Sequence, residues 1–154
     1  MRKLGTLAMV ILLSAATQAD EPRQSAEGPR AAVDQLFLGM HMGDDATARL
    51  VLAPDVRFVV LTAEGAISEQ SVDGWLRAVA ASQGTWNEQI YDVEVRVDDT
   101  VASVWAPYTF YLAGRLTHCG VNSIELLRGA DGWKITQLSD SRRGEGCPDP
   151  LAER

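Results

Sequence analysis

Two polar residues at even spacing, His118 and Asn122, sit in the segment TVASVWAPYTFYLAGRLTHCGVNSIELLRGADGWKITQLSDSRR, residues 100–143, among apolar and aromatic neighbours. An imidazole titrates near neutrality and an amide both donates and accepts, so the pair could orient a small molecule or move a proton. Their placement follows from strand alternation. If Trp133 and Ile135 face a core, and Ile124 and Leu126 share it, then His118, Gly120 and Asn122 point the same way. A buried polar group must be paired or open to a ligand, which makes His118 and Asn122 candidate ligand anchors and His118 a candidate acid or base. The alternative for each is a polar core residue bonded to backbone. Trp105 and Tyr108 flank Pro107 and are candidate pocket walls; a proline in a strand marks a bulge or an edge, and a bulge shifts which aromatics face inward.

Other constellations point elsewhere. By alternation from Ile135, Asp140 faces away from the pocket and forms a surface pair with Arg142, while Asp55 organises a turn. Met40-His41-Met42 contains ligands suited to Cu(I), but consecutive helical residues diverge, so no metal site is expected, and no cofactor-binding motif is present. Cys119 and Cys147 are the only cysteines. If Leu127 faces Trp133, Cys119 lies opposite a position near Ser141, and the Gly144-Glu145-Gly146 tail can return Cys147 to it as a disulfide.

The elements that must hold these residues read in order. Arg2 and Lys3, an apolar run to Ala16 and small residues up to Ala19 have the layout of a secretory signal peptide over residues 1–19, followed by a polar linker over 20–28. Pro29 opens a helix whose Ala32, Val33, Leu36, Phe37 and Met40 share a face, and Gly43 ends it. Asp44 or Asp45 caps a short second helix that Ala53-Pro54 stops, and Asp55–Leu61 reads as a strand. Ser71 caps a third helix closed by Gly84, and residues 89–97 alternate as a strand with one wet face. Turns at Ala113-Gly114 and at 129–132 divide residues 100–143 into three antiparallel strands. Helices gathered before consecutive strands indicate an α+β fold, with helices on one face of a curved sheet.

Composition agrees: 154 residues, 46% hydrophobic and 23% charged, support one domain with one core, spanning 29–147 before a tail of 148–154. The formal charge is −7, and loss of Arg2 and Lys3 with a leader leaves 12 basic against 21 acidic residues, or −9. That surface repels phosphate backbones and anionic lipid heads, which argues against nucleic acid as a partner, and the region after residue 19 has no apolar run long enough to span a membrane, so no stable membrane insertion is expected after cleavage.

The opening helix ending at Gly43-Asp44-Asp45, the Leu52-Ala53-Pro54-Asp55 step, and Ile124–Arg128 leading to Asp131-Gly132-Trp133-Lys134-Ile135 resemble the nuclear transport factor 2-like (NTF2-like) superfamily. His118–Asn122, Arg142-Arg143 and Cys147 more narrowly resemble exported members labelled SnoaL-like or lumazine-binding-like. The resemblance implies a cone-shaped α+β fold with three N-terminal helices packed on a mainly antiparallel sheet. It also implies a small, partly apolar ligand in the cone, while the signal-peptide layout of residues 1–19 implies a periplasmic or secreted location. Two further readings stay open: a cofactor-free isomerase, dehydratase or hydrolase using His118, and a non-catalytic domain that forms a homodimer through its sheet face.

Overall fold

An apolar stripe at helical spacing winds the first helix, α1 (Glu27–Met42), and buries Val33, Leu36, Phe37 and Met40 along one side. In the computed structural model, residues 25–62 and 64–152 are described; the leader and most of the linker expected from sequence lie outside them. The helix starts two residues before Pro29 and ends where Gly43 adopts φ 67°. Gly43 N–H then donates to Met40 O and Asp44 N–H to Gly39 O, pairing two carbonyls that the helix end leaves open. Asp44 caps α2 (Asp45–Arg49) through Thr47 N–H at 3.1 Å, and Ser71 caps α3 (Val72–Ser82) through Gly74 N–H at 3.1 Å.

The strands are β1 (Leu52–Leu61), β2 (Ile67–Gln70), β3 (Trp86–Ile90), β4 (Glu94–Asp98), β5 (Val101–Leu112), β6 (Arg115–Gly129) and β7 (Gly132–Ser141). They form one sheet in the order β2-β1-β7-β6-β5-β3, with β4 also pairing β5. Every pairing is antiparallel except β1 with β7. The fold is α+β, with the helices on the inner face of the curved sheet. That face supplies Val104, Ile124, Leu126 and Ile135 to the core, where they meet α1 and, from α3, Leu76 and Val79. Burying such side chains contributes about 1.5–3 kcal/mol each.

Sequence alternation and the structure differ in several places. Leu52-Ala53-Pro54 belongs to β1, not to a break before it; the ladder with β7 skips from Leu52 to Arg57, so Pro54 sits where no ladder bond is required. Residues 89–97 are not one strand. Asp92 takes φ 47° and separates β3 from β4. Pro107 of β5 faces this gap: its carbonyl accepts from Tyr91 N–H at 3.0 Å, so its missing N–H falls on the same side, where the neighbouring strand is interrupted. The polar edge strand β2 was not anticipated, because Ile67-Ser68-Glu69-Gln70 carries no alternation to announce it.

On the outer face the chain end covers the sheet. Cys119 and Cys147 form a disulfide with Cα atoms 5.5 Å apart, Thr109 Oγ1 donates to Pro148 O at 2.9 Å, and Tyr111 OH donates to Asp149 Oδ1 at 2.6 Å. Cys119 pairs with Arg143, two positions beyond the expected Ser141. One position comes from Leu127 facing Lys134 instead of Trp133, and the second from an extra residue, Thr136, between the partners of Glu125 and Leu126. Cys147→Ser opens a loop of 28 residues and should lower the unfolding free energy by about 3 kcal/mol in urea titrations. Gly120→Ala should cost a similar amount, about 3 kcal/mol, because its Cβ would collide with the Ser141 backbone oxygen.

Candidate functional site

Between α1, α3 and the inner sheet face lies a cavity of about 300 Å³. Its apolar wall comes from Leu36, Phe37 and Met40 of α1, Phe58 of β1, Trp75 of α3 and Leu138 of β7. At one end the wall becomes polar: Glu88 of β3, Tyr108 of β5, His118 and Asn122 of β6, Asp140 of β7 and Arg142 just beyond its end converge there. The strands deliver these groups by parity. Tyr108 continues the inward row of Ala102, Val104 and Ala106, and Asn122 continues that of Ile124 and Leu126. His118 stays in that row because Thr117, the extra residue of a second bulge, lies beyond it, between the partners of Phe110 and Tyr111.

Two neighbouring hydrogen-bonded groups occupy the polar end. Asn122 Nδ2 donates to Glu88 Oε1 at 2.6 Å, and Arg142 Nε donates to Asp140 Oδ2 at 2.7 Å. Tyr108 OH lies 3.3 Å from Asp140 Oδ2 and 3.0 Å from Ser141 O. His118 stacks on Phe110 with ring centroids 4.9 Å apart and meets Tyr108 edge-on at 5.8 Å. Thr117 Oγ1 donates to Phe110 O at 3.2 Å and so accepts from His118 Nδ1 at 3.0 Å, which leaves Nε2 as the lone-pair nitrogen.

Comparison with solved structures decides the fold. An NTF2-like protein with a cystatin-like fold from Novosphingobium aromaticivorans matches with a TM-score of 0.62 at 13% identity, over 79% of this chain and 82% of that one. A candidate dehydratase of the NTF2-like family from Streptomyces avermitilis matches at 0.60 and 19% identity, over 77% and 95%. A candidate ketosteroid isomerase from Shewanella frigidimarina matches at 0.57 and 22% identity, over 76% and 95%. This chain has the NTF2-like fold. No protein-family model matches the sequence, and neither does any curated protein.

Within the NTF2-like cone, the residues nominated from sequence separate. His118, Asn122 and Tyr108 line the cavity together. Trp105 does not: it stands on the outer face, 51% exposed, beside Glu94 and Arg96. Pro107 brings no bulge into the pairing of β5 with β6 there, so plain alternation turns Trp105 outward. Asp140 and Arg142, expected at the surface, line the cavity instead, because the inserted Thr136 reverses the parity of β7 beyond Ile135. Asp55 is exposed on β1 and makes no turn. Glu88 was missed. The available signal was its phase with Trp86 and Ile90, two apolar residues of the same short strand. Of the methionine-flanked histidine, Met40 is buried, Met42 is exposed and His41 Nδ1 lies 3.2 Å from Trp86 O. Among the described residues no group of three or more His, Cys, Asp or Glu side chains is placed to hold a metal ion.

The electrostatics of the cone are set by burial. Enclosure pushes the Glu88 carboxyl up to about 8; Asn122 and Arg142 favour its ionised form, but Asp140 adds to the effect of burial. Burial, followed by the Arg142 charge, holds His118 below its usual value against the pull of Asp140. Burial also raises the Tyr108 hydroxyl, with Glu88 and Asp140 adding to it. Folding therefore favours a protonated Glu88, so its contribution is present at acid pH and lost as pH rises from the ordinary carboxylate range through about 8. His118 acts in the opposite sense, losing stability as pH falls below its unfolded value. Glu88→Gln should remove the alkaline loss. Relative to wild type, the variant gains up to about 1.4 kcal/mol per pH unit across that window in chemical denaturation. A parallel pH profile for the two proteins would refute the assignment.

Proposed function

We propose that the chain binds a small, partly apolar molecule in its cone, with His118, Asn122 and Tyr108 as polar anchors, joined by Glu88 and Arg142. The observation that supports this reading is the cavity itself: about 300 Å³, apolar along its length and polar at one end, the usual composition of a ligand site. Neighbours described as a candidate dehydratase and a candidate ketosteroid isomerase are compatible with a ligand in such a cone. The Cys119–Cys147 bond supports export to an oxidising compartment.

A second reading is cofactor-free acid–base catalysis on the bound molecule. One feature favours it: burial pushes the Glu88 carboxyl in the cone up to about 8, within reach of proton transfer. His118 is less suited to lead such chemistry, since its Nδ1 is engaged by Thr117 and no carboxylate is hydrogen-bonded to the ring among the described residues. A purely associative role requires a filled cone. Val101, Trp105 and Leu127 are exposed on the outer sheet face, where a second copy could pack without blocking the cavity.

Native mass spectrometry of the purified protein should show a bound small molecule, or a panel of small apolar compounds with one polar group should raise its melting temperature. His118→Ala and Asn122→Ala should each weaken that binding about tenfold, the worth of one hydrogen bond to a buried group. Absence of both an adduct and any thermal shift would end the binding reading.

A further inference from the structure

Resting on the binding reading, we propose that the cone takes an organic cation, a protonated amine or quaternary ammonium, seated between the aromatic wall and the Glu88 carboxylate. The charges at the polar end carry this inference first. Two carboxyl groups, Glu88 and Asp140, share that end with one guanidinium, Arg142. Arg142 is engaged: its Nε donates to Asp140 Oδ2 at 2.7 Å, so the charge of one carboxylate is met. Glu88 receives the Asn122 amide at 2.6 Å, a neutral donor. The other groups facing Glu88 do not supply the missing charge. Tyr108 is neutral, and His118 is held below its usual titration range by burial and by Arg142. Burial, with Asp140 adding to it, pushes the Glu88 carboxyl up to about 8, which favours its protonated form at pH 7.

The wall beside Glu88 is suited to a cation. Trp86 meets Phe110 edge-on at 5.9 Å, Phe110 stacks on His118 at 4.9 Å, and His118 meets Tyr108 at 5.8 Å, so these rings form one continuous surface. Trp75 and Phe58, 5.2 Å apart, close the cavity from the α3 side. Aromatic faces attract ammonium groups through the ring quadrupole, most strongly where water is excluded. A bound cation would pair with the Glu88 carboxylate, and the proton leaves to solvent. One cation enters, one proton departs, and the net charge of the site is unchanged.

The test compares choline with its uncharged carbon isostere, 3,3-dimethylbutan-1-ol, on the purified protein at pH 7. Affinity is read by tryptophan fluorescence, and proton release by calorimetry in two buffers of different ionisation enthalpy. Choline should bind at least tenfold more tightly than the alcohol and release close to one proton, with affinity rising as pH approaches 8. Glu88→Gln, which preserves shape, should abolish the release and weaken choline at least tenfold more than it weakens the alcohol. Trp86→Leu should likewise weaken choline selectively. Equal or tighter binding of the alcohol, or choline binding without proton release, would overturn the cation class while leaving the cone as a ligand site. If choline does not bind although other small molecules stabilise the protein, the cation class is also overturned; if nothing binds, both readings fall.

Discussion

A strand that lines a cavity presents alternate residues to it, and it can change which set faces inward only where an extra residue breaks the ladder. In β7 that residue is Thr136. Before it, Ile135 is fully buried against the helices; after it, Leu138, Asp140 and Arg142 face the cavity. Without this shift the carboxylate and guanidinium would project outward, and the polar end of the cone would keep only Glu88, Tyr108, His118 and Asn122. Ser141 O comes close enough to β6 to accept from Tyr108, and only a glycine at position 120 leaves room for it.

The polar end sets a buried Asp140, a half-buried Arg142 and the half-buried Glu88 carboxyl against an apolar core, an arrangement that rarely improves stability over hydrophobic packing. Its cost is limited because the groups satisfy one another. Among the described residues no buried side-chain nitrogen or oxygen lacks a partner. Glu88 is the exception in charge, though not in hydrogen bonding: Asn122 holds one oxygen, while burial disfavours the ionised form. Such a local conflict between stability and chemistry is what a functional site looks like in a chain whose other features agree with its fold. Helix caps, apolar stripes and turn residues elsewhere all point to one architecture.

The outer face of the same region is built differently. Thr109 and Tyr111 alternate with Tyr108 and Phe110 on β5, and the chain end covers them through Pro148 and Asp149. The disulfide from Cys119 fastens this segment behind the cavity, and the bridge of Cys119 with Arg143 immediately follows Arg142.

Local chemistry was enough to place the three helices, a cap at Asp44 or Asp45 and another at Ser71, the late antiparallel strands, the cysteine pair and the inward direction of His118 and Asn122, while the direction of Tyr108 beside Pro107 was left to the structure. These depend on periodicity and on turn residues, which a chain carries in its own order. The α+β layering followed from them, and the resemblance to the NTF2-like fold rested on the same segments. What alternation could not reveal were the extra residues: Thr136 in β7, which brings Asp140 and Arg142 inward, and the break at Asp92, which leaves Glu88 on a short separate strand. Nor could it pair β1 with β7, residues far apart in sequence, or bring Glu88 to Asn122. A bulge is decided by how neighbouring strands meet, and a carboxyl's acidity by what surrounds it. Both are properties of the assembled sheet, so the individual residues were visible in the sequence while the charge they create together was decided by tertiary structure.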